Sequence, residues 1–122
     1  MPLILLDKNV PVPLRRLLPG HEVRTTDDHG WGRLTNGELL GVAEEAGYCA
    51  MVTADRNIRY QQNLATRRIG LVVLSTNIWR VLRADLALIR SAVDEAGPST
   101  YREVVFPLPP LRRRPRSNQP GP

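Results

Sequence analysis

An α/β domain with a mostly parallel central sheet and helices on both faces is the fold class this sequence predicts, and three observations predict it. Short apolar runs alternate with stretches of helical spacing along the whole chain. Three of those runs, Leu3-Ile4-Leu5-Leu6, Cys49-Ala50-Met51-Val52-Thr53 and Leu71-Val72-Val73-Leu74, are apolar without alternation, as strands covered on both faces are. The connections between runs have the ordinary length of crossovers between parallel strands.

Taken in order, Leu3 to Leu6 is a strand ended by Asp7. Pro11 and Pro13 introduce a helix, the second proline suiting a first turn, with Leu14, Leu17 and Leu18 as its apolar side and Pro19-Gly20 as its stop. His21 to Thr25 is a weaker strand, followed by the polar loop Asp27-Asp28-His29-Gly30-Trp31-Gly32, in which Trp31 reads as a lid over apolar surface. Thr35-Asn36-Gly37-Glu38 opens a helix with Leu39, Ala43 and Ala46 inward and Gly47 as its end. Cys49 to Thr53 is a third strand leading to Asp55, and a short helix is expected over Gln61 to Thr66. After the Leu71–Leu74 strand, Leu82, Leu86, Ile89 and Val93 recur at helical spacing, predicting one long helix from Trp79 to Glu95 closed by Gly97-Pro98. Arg102 to Phe106 reads as an edge strand, and no internal repeat is present.

The length of 122 residues suits one domain with a real core. A lone cysteine, Cys49, excludes an internal disulfide framework and reads as a small buried hydrophobe. No apolar stretch is long enough to span a membrane, and the start is too short for a signal-peptide core, so a cytoplasmic protein without a membrane partner is expected. The formal net charge of +5 is unevenly placed. Residues 107–122 hold Arg112, Arg113, Arg114 and Arg116 and no acid, which leaves thirteen basic against twelve acidic residues for 1–106. The first 106 residues are therefore read as the folded domain, and 107–122 as a Pro/Arg-rich tail whose composition predicts disorder. Such a charge permits a nucleic-acid partner without requiring one.

Ligands of open parallel sheets collect beyond the carboxyl ends of the strands. Asp7 follows the first apolar run and Asp55 the third, and each is followed two residues later by asparagine, in Asp7-Lys8-Asn9 and Asp55-Arg56-Asn57. The helix opening near Asn36 points its start at the same edge, bringing Asn36 and Glu38 within range. Carboxylates flanked by amide oxygens form an all-oxygen donor set of the kind that suits Mg2+ or Mn2+. Each of these residues also has a purely structural role open to it: an aspartate after a strand can cap a turn, Asn36 can be an N-cap, and Thr35-x-x-Glu38 fits a capping box. Nothing matches a dinucleotide or phosphate-loop fingerprint, and no Ser, His and acid fall at strand ends for acyl transfer.

Five segments in order, Leu5-Leu6-Asp7-Lys8-Asn9-Val10-Pro11, Leu17-Leu18-Pro19-Gly20-His21-Glu22-Val23, Asn36-Gly37-Glu38-Leu39-Leu40, Val52-Thr53-Ala54-Asp55-Arg56-Asn57 and Tyr60-Gln61-Gln62-Asn63-Leu64, resemble the small bacterial PIN-like proteins, predicted nucleases and toxins of the VapC kind. The resemblance covers roughly residues 2–75. It implies a three-layer α/β/α PIN-like domain and a Mg2+- or Mn2+-dependent endoribonuclease, the toxin half of a toxin–antitoxin pair with a small antitoxin protein as partner. By position it implies Asp7, Asp55 and Glu38 as metal-binding and catalytic acids, Asn9, Asn36, Asn57 and Gln62 as supporting polar groups, and Lys8, Arg56 and Arg59 as candidate RNA contacts. Related proteins commonly carry aspartate where Asn36 stands and a further acid where Asn57 stands. The alternative reading follows from those two positions: a PIN-like domain with weakened or lost catalysis, serving as a binding or assembly module. A homodimer paired through helices is a further expectation. A phosphoacceptor receiver shares the length and the strand-end aspartates but needs a lysine late in the sheet, where this chain's only lysine is Lys8.

Overall fold

A computed structural model describes residues 2–58 and 64–107. Five strands, β1 (Leu3–Leu6), β2 (Glu22–Thr25), β3 (Ala50–Thr53), β4 (Gly70–Leu74) and β5 (Tyr101–Val104), form one sheet in the order β2-β1-β3-β4-β5. Every pairing is parallel, with Leu6 opposite Thr25 on one side and Val52 on the other. The α/β class with a parallel central sheet is therefore as the sequence predicts. The order reverses between β1 and β3, because the chain leaves β1 toward β2 and then returns across β1 to β3. That reversal opens the crevice in which doubly wound sheets hold their ligands.

Residue alternation divides the core into two layers. Ile4, Leu6, Val52, Val72 and Leu74 face Leu14 and Leu18 of the first connection together with Leu82, Ile89 and Val93. Leu5, Met51, Leu71 and Val73 face Leu39, Leu40 and Ala43 of helix α1 (Asn36–Glu45), with Tyr48, Ile58 and Ile69 completing that side. Burying each such aliphatic side chain stabilises by about 1.5–3 kcal/mol relative to exposure, which explains why the central strands tolerate no polar residue before their last position.

The connections depart from expectation in three places. Between β1 and β2 the chain makes only a 3-10 turn, Val12–Arg16, rather than an α-helix. Two prolines in three residues remove amide donors there, and Gly20, at φ 84°, turns the chain into β2 immediately afterwards. The long helix expected from Trp79 to Glu95 is two helices, α2 (Trp79–Arg83) and α3 (Leu86–Glu95). Asp85 breaks it, at φ −147° and ψ 66°, while Val81, Leu82, Ile89 and Val93 all stay buried, so the apolar spacing survives the bend. Ala46, expected inward, is the exposed C-cap of α1, and Gly47 at φ 88° ends the helix as expected.

The connection β4-α2-α3-β5 lies on the same face as β1-to-β2 but steps the opposite way along the sheet, so the two have opposite hands. The β2-to-β3 and β3-to-β4 crossovers step that way on the other face and share the hand of β1-to-β2. A crossover of minority hand is rare in parallel sheets. Here it brings α3 against the first connection, where Arg90 Nε donates to the Leu17 carbonyl at 2.8 Å and His21 Nε2 lies 2.7 Å from Asp94 Oδ1. Among the described residues no helix is long and apolar enough to cross a membrane.

Candidate functional site

The carboxyl ends of β1 and β3, adjacent at the reversal point, bring Asp7 and Asp55 together through one hydroxyl. Thr53, the last residue of β3 and fully buried, donates from Oγ1 to Asp7 Oδ2 at 2.8 Å and accepts from the Asp55 amide at 3.1 Å. Register produces this contact: Leu6 pairs with Val52, so the next residues, Asp7 and Thr53, project to the same side. Asp7 Oδ1 accepts from the Lys8 amide at 2.8 Å. Asp55 Oδ1 accepts from the Asn57 amide at 3.0 Å, a local turn in which the aspartate bonds the backbone two residues on.

Helix α1 closes the third side. Its N-cap is Thr35, not Asn36, and the capping box is complete: Thr35 Oγ1 accepts from the Glu38 amide at 3.3 Å and Glu38 Oε1 accepts from the Thr35 amide at 3.0 Å. Asn36 is thereby placed at the first helical position, where its Nδ2 donates to Asp55 Oδ2 at 2.9 Å. Asn9 Oδ1 accepts from the Ala54 amide at 3.1 Å, tying the segment after β1 to the segment after β3.

Asp7 retains only 8% of its accessible surface. All four oxygens of Asp7 and Asp55 accept a hydrogen bond from a neutral donor, and neither residue forms an ion pair among the described residues. A carboxylate that buried ordinarily has a cationic neighbour or a metal. Beside Asp7, one step past the Leu6–Thr25 pair, Thr26 is 1% exposed and its Oγ1 has no hydrogen-bond partner among the described residues.

The residues predicted from sequence are thus partly assembled. Asp7, Asp55, Asn36 and Asn9 meet at one edge, with Asn57 contributing its backbone amide. Glu38 is exposed and its carboxylate serves the helix cap, and no group of three acidic, histidine or cysteine side chains placed to hold a metal occurs among the described residues. Lys8 Nζ donates to the Gly32 carbonyl at 2.9 Å, which ties the glycine loop to the end of β1. That contact engages the one lysine far from the late-sheet position a receiver needs. Arg56 Nε lies 3.4 Å from Glu103 Oε2 on β5. Arg59 and Gln62 lie outside the described residues. Sequence reasoning misses Thr53 and Thr26; the signal for Thr53 is a hydroxyl ending an apolar strand two residues before an aspartate.

Next to the edge, Trp31 packs on the α1-side core and stacks on His29, ring centroids 4.0 Å apart and planes 13° from parallel. His29 Nε2 lies 2.5 Å from Tyr48 Oη, and burial pushes the Tyr48 phenol up. Trp31 therefore covers apolar surface, as its setting between glycines predicts. The Thr25 amide, with Arg15 3.1 Å away, holds the Asp28 carboxyl below the usual carboxylate range and fixes this loop to β2.

Comparison with known proteins finds no matching family model, no matching curated protein and no matching solved structure.

Proposed function

We propose that this chain is a PIN-like, Mg2+- or Mn2+-dependent endoribonuclease that acts in the cytoplasm as the toxin half of a toxin–antitoxin pair, restrained by a small antitoxin protein. The observation that carries the reading is the Asp7–Thr53–Asp55 bridge at the reversal point of the sheet, with two carboxylates held by neutral donors and no cation beside them among the described residues. The donor set fits a hard divalent ion: every carboxylate oxygen keeps a further lone pair, and Mg2+ commonly uses one or two carboxylates and retains waters.

Asp7 and Asp55 would hold the ion. When bound, it supplies positive charge to the phosphodiester and lowers the pKa of a coordinated water. The chain's own residues do the positioning. Thr53 and the Lys8 amide fix the plane of Asp7, while Asn36 and the Asn57 amide fix Asp55. All four donors are neutral, so none of them sets a compensating charge against the two carboxylates. Glu38, one turn into α1, is the third acid the family resemblance assigns, and its Oε1 is engaged with the Thr35 amide.

Cleavage of a mixed single-stranded RNA by the purified chain in Mn2+, abolished by EDTA and by Asp7→Asn, is the expected result. Asparagine keeps an acceptor for the Lys8 amide, and the Thr53 hydroxyl can turn to accept from its amide, so the variant is expected to fold. Metal-dependent binding without any cleavage would favour the second reading, a PIN-like binding module. That reading draws support from Asn36 standing where a third strand-edge acid would sit. Cleavage that survives both EDTA and Asp7→Asn would overturn the proposal.

A further inference from the structure

Asp7 has a threonine on each side of it across the sheet. Leu6 pairs with Val52 and with Thr25, so Asp7 stands in one row with Thr53, the last residue of β3, and Thr26, just past β2. Side chains of one row leave the sheet on the same face, and neighbouring strands lie about 4.8 Å apart, so the two hydroxyls flank the carboxylate. They are used differently. Thr53 donates to Asp7 Oδ2 at 2.8 Å and accepts from the Asp55 amide at 3.1 Å. Thr26 is equally inaccessible, yet its Oγ1 has no hydrogen-bond partner among the described residues.

The rest of Thr26 is fixed in place. Its amide donates to the Leu6 carbonyl at 3.1 Å, and its carbonyl accepts from the His29 amide at 3.2 Å and the Trp31 amide at 2.9 Å. Lys8 Nζ holds the same loop through the Gly32 carbonyl. Thr25, next door, shows what a local use of the hydroxyl looks like: its Oγ1 accepts from the Asp28 amide at 3.2 Å. Burying a hydroxyl without a partner costs free energy that a valine of the same shape would not. That cost falls beside Asp7, a nearly buried carboxylate with no cation paired to it among the described residues. An orphaned hydroxyl and an uncompensated carboxylate in one row are two separate marks of a ligand at one place.

We propose that the Thr26 hydroxyl is a positioning group for a divalent cation at Asp7, accepting a hydrogen bond from a water that the cation retains. The inference rests on the metal reading of the Asp7–Asp55 pair. Mg2+ bound through one or two carboxylates keeps several waters, and a hydroxyl with two lone pairs is a fitting acceptor for one of them. Outer partners of this kind are worth about 10–100-fold in metal affinity.

The experiment compares the wild-type chain with Thr26→Val and Thr26→Ser, by Mn2+ calorimetry and by urea unfolding in EDTA. Thr26→Val is expected to bind Mn2+ about 10–100-fold more weakly. Its metal-free urea midpoint is expected to rise by about 0.5–1 M, because the orphaned hydroxyl is gone. Thr26→Ser keeps the hydroxyl and is expected to retain most of the affinity. A hydroxyl that serves only the fold moves the other way: valine would lower the metal-free midpoint and leave Mn2+ binding unchanged. Mn2+ affinity in Thr26→Val within about twofold of wild type, or a metal-free midpoint at or below the wild-type value, would overturn the assignment. The two readings fail separately. No Mn2+ bound by the wild-type chain removes the cation reading and this inference with it, whereas equal binding by wild type and Thr26→Val removes the inference alone.

Discussion

Replacing Thr53 with valine removes one oxygen from the centre of the site and leaves the strand otherwise unchanged. Valine matches threonine in shape and favours strands, so what disappears is the hydroxyl. Two bonds go with it: the donation to Asp7 Oδ2 at 2.8 Å and the acceptance from the Asp55 amide at 3.1 Å. The first is a bond to a charged group, a class worth about 1.5–3 kcal/mol. The second leaves a partly exposed amide that water can reach, which adds about 1 kcal/mol or less. The expected destabilisation is therefore about 2–4 kcal/mol, with Thr53→Ser close to wild type. Urea unfolding reads this as a midpoint lowered by about 1–2 M at unchanged slope, given slopes of about 1–3 kcal/mol/M for small domains. The metal reading adds that Mn2+ affinity falls in Thr53→Val because Asp7 no longer has the bond that sets its plane. A Thr53→Val midpoint within about 0.3 M of wild type, with Thr53→Ser indistinguishable from both, would refute the bridge as the element that joins the two strand ends.

Three further outcomes follow from the described geometry. Burial alone would raise the Glu44 carboxyl, but bonds from the Arg67 guanidinium at 2.8 Å and the Arg68 amide outweigh it and hold the group below its usual range. A depressed carboxyl stabilises above its unfolded value and loses that contribution as pH falls through the folded one. Glu44→Gln should thus be less stable than wild type above about pH 5, and the gap should close as pH falls below the ordinary glutamate value near 4.3. A Cβ on Gly70 would sit 2.6 Å from Thr100 Oγ1 and 2.7 Å from the Gly97 carbonyl, so Gly70→Ala should cost about 1–3 kcal/mol in urea unfolding by pushing the turn before β5 away. Glu38→Gln keeps an acceptor for the Thr35 amide and should unfold like wild type, whereas Glu38→Ala should destabilise by about 1 kcal/mol. If Glu38 also binds the metal, Glu38→Gln weakens Mn2+ binding with no change in stability.

How far the sequence discloses this site depends on how local each interaction is. The capping box spans four consecutive residues, and Thr35 and Glu38 announce it. β1, β3 and β4 are readable because strands covered on both faces must be apolar throughout. That β1 lies beside β3 is not readable, because residue alternation carries no information on which strands pair; crossover geometry decides that. Thr53 escapes for the same reason, since its value comes from standing opposite Asp7 across the pair. Apolar spacing identifies the residues of α2 and α3 that are buried but not the break at Asp85, because the spacing of Leu82, Leu86, Ile89 and Val93 is the same for a straight helix and a bent one. The helix expected after Pro11 is a 3-10 turn because the prolines that suit a helix start also strip its first bonds.

The central claim is that Asp7 and Asp55 form one cation-binding pair, and Mn2+ calorimetry on the wild-type chain and the single variants Asp7→Asn and Asp55→Asn tests it most directly. One saturable site is predicted in wild type and none in either variant, with all three chains showing the same secondary structure by circular dichroism. Binding absent from wild type at millimolar Mn2+, or retained in either variant, would contradict it.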